Sequence, residues 1–515
     1  MTLLRRTLLP LVRLQRLGTV RSVSRTSFNA IASLQEELPH IEVTTNPYEL
    51  DTHGRGESFH PSAPPDAVVT PSSQEEVVDI VQHCAAHRIP IIPFGAGTSL
   101  EGHVSALRGG LCVDLRSLNT IETFVDESSG MPETFARVGA GVTRLALNEE
   151  LRYTGMQFMV DPGADATIGG MIATGASGTQ AVKFGTMREN LLGLECVLPN
   201  ATVARCGTKA LKSSAGYDLT SLMTGSEGTL GIITSATVKL HPIPEHVVAA
   251  KCVFDNLVDA AQAVATLKLC GVDLGRCELL DEASIMAFNE YNTSQSKDES
   301  AGLSGESTTG YGNGATVKAL AVKPTIFFEF QGPTAAAVQE QADTTRTICI
   351  EDLNGSEFEC ATDDEERRRL WSARHSLYYA CLAQRPGSIG AVVTDVCVPL
   401  SGFANLIEKT ARDVKELGVV GPCFGHAGDG NFHCILPLRS DDSEEYRAKI
   451  NKVNDNLVER ALELGGTCTG EHGIGYGKME YLEKQFGKGG VEMMRTIKRA
   501  IDPDNIMNPG KVVLT

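Results

Sequence analysis

No apolar run in this chain approaches the ~20 residues that a membrane-spanning helix needs, so no span is expected. Basic charge is in deficit: 46 lysines and arginines face 64 acids, a formal charge of -18. That argues against a nucleic-acid partner and for a soluble protein of acidic surface. The 14 cysteines include no Cys-x-x-Cys pair. A chain of 515 residues needs no disulfide staples, so the thiols are read as reduced, in an intracellular compartment. The same length exceeds one ordinary core and points to two or three domains.

The first thirty residues lack acids. They carry Arg5, Arg6, Arg13, Arg16, Arg21 and Arg25, and the first acid is Glu36. Leu4, Leu8, Leu11 and Leu14 recur at helical spacing. A basic surface helix would share this pattern, but an arginine-rich, serine-containing, acid-free start is the mark of a mitochondrial presequence. Arg13 and Arg16 break the apolar stretch that a secretory signal requires. The expectation is a presequence over 1–30, a helical lead-in over 31–60, and a mature protein of the mitochondrial matrix or inner-membrane surface.

From Pro61 to about Pro242 the text is dense in glycine, threonine and β-branched residues. Strands are expected at Ala67–Thr70, Ile89–Pro93 and Gly110–Asp114, with a helix from Ser73 to His87 bearing Val77, Val78, Ile80 and Val81. From about Val247, strands (Val248–Phe254, Glu278–Leu280, Thr325–Phe330) alternate with helices such as Leu257–Leu269, as in an open-faced sandwich. Ser294–Thr316, rich in Ser, Gly and Thr, reads as a flexible surface loop. A helix starts at Thr362, with Thr362 and Glu365 as a capping box and an apolar stripe of Leu370, Trp371, Leu377, Tyr378 and Cys381. Arg374 lies on that stripe. On spacing alone it is either half of an internal salt bridge or the clamp of a substrate carboxylate.

Other motifs are informative through what they lack. Pro93-Phe94-Gly95-Ala96-Gly97-Thr98-Ser99-Leu100 follows a strand and offers bare amides to a phosphate, but Leu100 replaces the third glycine of a Rossmann fingerprint. Val138-Gly139-Ala140-Gly141-Val142 is weak alone. Asp161–Gly178 has few bulky side chains, which suits either close approach to a flat or charged ligand or tight helix packing. Gly473–Lys478 fails as a P-loop, because its glycines are too close and Met479 follows the lysine. Gly425–His433 and Gly470–Gly473 place His426, His433 and Glu471 on glycine-rich backbone. Two nitrogens and one oxygen suit zinc or manganese with open positions, although histidines at this spacing also serve plain structural roles. His472 stands beside them as a proton carrier or a structural residue.

Taken in order, Pro93 to His103, Asp161 to Gly178, Ser226-Glu227-Gly228-Thr229-Leu230-Gly231-Ile232-Ile233, Gly425 to His433, Gly470 to Gly473 and Asn508-Pro509-Gly510-Lys511 resemble the FAD-linked oxidases and dehydrogenases of the vanillyl-alcohol oxidase type. Within them they resemble the D-2-hydroxy-acid dehydrogenase branch, from about residue 61 to the C-terminus. The resemblance implies an α+β fold. It comprises a two-subdomain FAD-binding domain over 61–242 and a substrate-capping domain of antiparallel sheet and helices over 243–460. A C-terminal segment, 461–515, carries Glu471 and His472 and packs on the FAD domain. FAD would lie on Pro93, Gly95, Ala96, Gly97, Thr98 and Ser99 and on Asp161, Pro162, Gly163, Ala164, Thr167, Gly169, Gly170, Thr174 and Ser177. Glu227, Gly231, Ile233 and Asn508 would line the rest. Some relatives hold the flavin covalently through a histidine of the first loop. This loop has Ala96 and Thr98, with His103 beyond it, so non-covalent FAD is expected.

The implied reaction moves hydride from a D-2-hydroxy acid to FAD. His426, His433 and Glu471 would hold the ion that acidifies the hydroxyl, His472 would take the proton, and Arg374 would grip the carboxylate. Relatives that oxidise a dicarboxylate carry a lysine where Val393 stands in Val392–Pro399. Val393, with Tyr378 beside the site, therefore favours D-lactate and other small or aliphatic acids over D-2-hydroxyglutarate. Electrons would pass to cytochrome c, or to an electron-transfer flavoprotein. A flavin-dependent ether-lipid synthase-like transferase is the rival class.

Overall fold

The computed structural model describes residues 31, 33–125, 130–300 and 319–515. The expected presequence and residues 301–316 of the expected loop lie outside the described residues. Contacts divide the chain into two units. One takes the chain up to Gly178 with Phe184–Ile243 and Glu471–Thr515; the other takes Thr179–Lys183 and Pro244–Gly470.

The first unit holds two main sheets. β1 (Val43–Thr44), β2 (Ala67–Val69), β3 (Ile91–Phe94) and β4 (Leu111–Asp114) lie in the order β1-β2-β4-β3. β4 runs parallel to both β2 and β3. Strands covered on both faces read as unbroken apolar runs, and every residue of β2 and β4 is buried. The helix Gln74–His87 starts on Ser73, whose side chain accepts from the Glu76 amide, and it buries Val77, Ile80, Val81 and Cys84. These residues share one core with the sheet and with Ile31 and Leu34.

β5 (Ile121–Val125), β6 (Pro132–Gly139), β8 (Leu191–Val197), β9 (Val203–Gly207) and β10 (Ile232–Lys239) form an antiparallel sheet ordered β5-β6-β10-β8-β9. β7 (Met156–Gln157) pairs separately with β11 (His241–Pro242). The helices Arg144–Leu151 and Ile168–Thr174 bury Leu147, Leu151, Ile168, Met171 and Ile172 in the core of the five-stranded sheet.

The C-terminal segment is built into this unit. After the helical run Met479–Ile501, which is broken at Gly487 (φ 67°), the chain lies beside β3. Ile91 donates to Ile506 O, and Asn508 donates to Ile91 O. A sheet edge that would offer unpaired backbone is thereby covered. Buried Lys498 anchors the turn, donating to Thr229 O and Met507 O at 2.8 Å each and pairing with Asp502.

The second unit is an antiparallel sheet. β12 (His246–Phe254), β13 (Arg276–Leu280), β14 (Thr325–Gly332), β15 (Gly355–Ala361), β16 (Ser388–Val393), β18 (Cys423–His426) and β19 (Asn431–Arg439) run in the order β15-β12-β14-β13-β18-β19-β16, and β17 (Val396–Cys397) pairs with β19. Ala249, Leu280, Phe327, Phe424 and Ile435 meet Ile285, Phe288, Trp371, Leu377 and Cys381 in one core. Three expectations shift. The cap of the helix Asp364–His375 is Asp363, not Thr362, because its carboxylate accepts from both the Glu365 and Glu366 amides. That helix ends before Leu377, which begins a second helix, Leu377–Ala383. Ser294–Ser300, expected as loop, continue the helix Glu282–Ser300, since no glycine or proline interrupts the chain before Gly302.

Lys511 yields a prediction. Its side chain is fully buried and donates to Ser105 O at 2.6 Å. Burial pushes its ammonium from the ordinary 10.5 down to about 7. Between those values the unfolded chain holds a proton that the folded chain does not, so stability rises with pH across that window. In denaturant titrations from pH 7 to 10, wild type should gain stability relative to Lys511→Met as pH rises. A constant difference would contradict this placement of the ammonium.

Candidate active site

In the second unit the pleat places the site. Glu278 of β13 is in register with His426 of β18, and Leu280 with Phe424, which is itself opposite His433 of β19. Directly paired residues and those two apart share a face, so Glu278, His426 and His433 point the same way as the core residues Leu280 and Phe424. The helix Asp364–His375 covers that face. From it Arg374 lays its guanidinium over the Phe424 ring, 4.7 Å from the centroid, and donates from Nε to Glu278 Oε2 at 2.6 Å.

The hydrogen bonds fix the histidine tautomers. His426 Nδ1 lies 2.6 Å from Glu278 Oε1, and His433 Nδ1 lies 2.9 Å from Thr394 O. A carbonyl, and a carboxylate held ionised, only accept. Each Nδ1 therefore carries the hydrogen, and in the neutral ring each Nε2 carries the lone pair. The two rings stand at 87° with centroids 5.7 Å apart, and a nitrogen of one lies within 4.8 Å of a nitrogen of the other. Glu278 has no solvent exposure. Burial alone would raise its carboxyl, but facing His426 and Arg374 hold it below the ordinary range.

Asp395, also without exposure, knots the neighbouring loop. It accepts from Asn431 Nδ2 at 2.8 Å, Thr469 Oγ1 at 2.7 Å and the Gly470 amide at 2.7 Å. Gly470 is required there, because a Cβ would meet Asn431 Nδ2 at 2.2 Å. Among the described residues, none donates to the buried Asn431 Oδ1. An orphaned acceptor of this kind suits a ligand hydroxyl or a cation.

Among the expected site residues of this unit, the structure brings Arg374, His426 and His433 together. Arg374 takes the salt-bridge reading through Nε, and its guanidinium has four further N–H donors. Val393 is half-buried on β16 opposite Ile435, and Tyr378 packs on the same core. Glu471 and His472 open the last segment of the first unit, with His472 Nε2 3.9 Å from Glu471 Oε1. The sequence reading assigned no role to Glu278. The available signal was one acid in a strand, Arg-Cys-Glu-Leu-Leu, whose last four residues are all buried.

In the first unit, Gly95–Ser99 form a half-exposed loop after β3. Among the described residues, none of their five amides donates a hydrogen bond. A row of unpaired amides after a strand suits the FAD diphosphate. Gly97 has φ 73°, and a Cβ on Gly95 would meet Thr167 Oγ1 at 2.3 Å. The Asp161–Gly178 stretch divides in two. Ile168 and Gly169 donate to Val142 O and Ala140 O, so the helix start is fastened to the Gly139–Val142 turn rather than presented outward. A Cβ on Gly169 would meet Ala140 Cβ at 2.7 Å, whereas Gly163 has nothing within 4 Å. Asp161, Pro162 and Ala164 lie beside Gly163, while Thr174 returns its hydroxyl to Gly170 O at 3.1 Å and Ser177 is buried.

Of the remaining expected flavin-lining residues, two hold backbone through their side chains. Glu227 (φ 54°) accepts from the Ile474 and Gly475 amides, both at 2.7 Å. Asn508 Nδ2 donates to Glu227 O at 2.7 Å and His103 O at 3.1 Å. Gly231 sits against Val197 O, and Ile233 lies in the apolar core. Lys478, the lysine of the failed P-loop, pairs with Glu101 at 3.2 Å.

Residues 65–207 match the family of FAD binding domains, and 243–512 match the C-terminal domain of FAD linked oxidases. The chain belongs to the FAD-linked oxidases and is an FAD-dependent oxidoreductase. It is 44% identical over 466 residues to a probable mitochondrial D-lactate dehydrogenase of Danio rerio, covering 90% of this chain and 87% of that one. It is 40% identical to a mitochondrial D-lactate dehydrogenase [cytochrome] of Arabidopsis thaliana, covering 96% and 81%. It is 34% identical to a glycolate oxidase subunit of Bacillus subtilis, covering 87% and 89%. Among solved structures, p-cresol methylhydroxylase superposes with a TM-score of 0.74 at 17% identity over 96% and 98% of the two chains. Alkyldihydroxyacetonephosphate synthase superposes at 0.66 and 20% identity over 93% and 84%. The fold is of the vanillyl-alcohol oxidase type, as the motif resemblance implied.

Gly95→Ala tests the loop. Overpacking against Thr167 Oγ1 costs about 1–3 kcal/mol, equivalent to about five- to 140-fold in flavin affinity. Flavin absorbance after gel filtration should fall in Gly95→Ala and recover in the double variant with Thr167→Ala. Full flavin content in the single variant would exclude the loop from the flavin site.

Proposed function

We propose that the chain oxidises D-lactate, and other small or aliphatic D-2-hydroxy acids, to 2-oxo acids in the mitochondrion. FAD is held non-covalently, and His426, His433 and Glu471 hold a zinc or manganese ion. The observation that carries this reading is the pair of fixed tautomers. Two buried imidazoles each carry hydrogen on Nδ1, leaving lone pairs on Nε2, as metal-ligating histidines do, and one ring nitrogen of each lies within 4.8 Å of the other. The names of the mitochondrial relatives support both the substrate and the compartment.

When bound, FAD supplies the hydride acceptor and the ion a Lewis acid for the substrate hydroxyl. The remaining tasks fall to side chains. His472 takes the hydroxyl proton, as a neutral imidazole can. Arg374 meets the C1 carboxylate with the N–H groups beyond Nε, in the forked geometry that fixes orientation. The Glu278 contact restricts its rotation. Tyr378 and Val393 give the substrate side chain an apolar wall. His103 is turned to Glu227, 3.1 Å away, which agrees with a flavin not bonded to that ring.

A dicarboxylate would bring a second charge against Val393 with no cation to meet it, which disfavours D-2-hydroxyglutarate. The ether-lipid synthase reading has likeness of fold alone and gives no reason for the histidine pair. The acceptor we assign is cytochrome c, whose basic character suits a chain of formal charge -18. An electron-transfer flavoprotein is the alternative.

Anaerobic titration tests the reading. Yellow protein should bleach with D-lactate, and chelator-treated protein should keep its flavin but no longer bleach. Absence of bleaching with every D-2-hydroxy acid tried would overturn the dehydrogenase reading. Val393→Lys tests the substrate wall: kcat/KM for D-lactate should drop at least about tenfold, since an unpaired buried charge is costly. Unchanged kinetics would remove Val393 from the substrate site.

A further inference from the structure

We propose that Glu37, His83 and His87 form a second, separate site for a borderline divalent ion such as zinc, on the first unit. This site clasps the N-terminal helical segment to the helix Gln74–His87. The two histidines are four residues apart at the C-terminal end of that helix and therefore project on one face. Their ring centroids are 4.6 Å apart. Glu37 comes from helical residues 33–37, and its Oε2 lies 2.8 Å from His83 Nδ1. One ligand atom from each of the three residues lies within 4.8 Å of the other two. Two imidazole nitrogens and a carboxylate oxygen are the donors that zinc accepts, with water completing the sphere.

Two features make this more than a surface coincidence. First, the ligands are preorganised. Leu34 belongs to the same buried core as Val77, Ile80 and Val81, so the helices carrying Glu37 and His83 are fixed against each other before any ion arrives. His83 is itself buried. Second, the site lies at the C-terminal end of a 14-residue helix, where the backbone dipole favours a cation. Arg88, the residue after His87, is paired with Asp504 at 3.2 Å. The Glu37–His83 contact alone would explain those two residues. It leaves unexplained why exposed His87 stands over His83.

The test uses the full-length holoenzyme and zinc as the probe. Zinc stoichiometry is measured by competition with a chromophoric chelator, in wild type, His87→Gln and Glu37→Gln. Both substituted positions are exposed, so the variants should fold and retain wild-type turnover. Wild type should bind one zinc per chain more than either variant. Zinc should also slow proteolysis between residues 38 and 46 in wild type and leave the variants unaffected. Equal stoichiometry in all three proteins would overturn the proposal. His433→Ala reports on the other site: it should lose a different equivalent, so failure of one assignment leaves the other readable.

Discussion

A carboxylate taken wholly out of water at Glu278 orders the second unit's site. Removed from solvent, it needs cationic or hydrogen-bonding partners, and it has them on both oxygens: His426 Nδ1 on one and Arg374 Nε on the other. Each contact does more than neutralise charge. The first decides which nitrogen of His426 keeps its hydrogen. The second holds the arginine in one rotation about the Phe424 ring. Three residues far apart in the chain, 278, 374 and 426, are therefore fixed by one side chain that touches no solvent.

The sheet makes this economical. β13, β18 and β19 are neighbours, and their registers put Glu278, His426 and His433 on the face that also carries Leu280 and Phe424. An apolar core on that face gives the rigidity, and the polar groups sit in its margin. Asp395 serves the adjoining loop in the same way, gathering Asn431, Thr469 and Gly470.

Much of this was legible in the sequence. The strands and helices of the first unit fall within a residue or two of their expected ends, because apolar periodicity and caps such as Ser73 are local signals. The glycine-rich histidine segments stood out in the sequence because their spacing is likewise a local signal. Glu278 was not. One acid in a short strand has no local signature, and its meaning comes from register with a strand almost 150 residues later. Asp161–Gly178 was half legible. Small residues announce close approach, but sequence cannot tell whether the approaching body is a ligand or Ala140. Glu227 and Asn508 were expected beside the flavin. The Glu227 carboxylate binds the Ile474 amide of the returning C-terminal segment, and the Asn508 side chain donates from that segment to Glu227 O; both depend on contacts across more than 240 positions.

That C-terminal return explains why the motifs are scattered. The loop Gly95–Ser99 follows β3, and β3 is bordered by residues 506–508. The Gly473–Gly475 turn hangs on the Glu227 carboxylate, and a Cβ on Gly473 would meet Glu227 Oε1 at 2.8 Å. The glycine run that imitates a P-loop is thus explained by packing: its amides face a carboxylate of the protein, the opposite of a phosphate cradle that must leave its amides unpaired. The Gly95–Ser99 amides are unpaired among the described residues. The contrast between these two glycine runs, similar as text and opposite in hydrogen bonding, supports the proposal of the diphosphate on the first and speaks against it on the second.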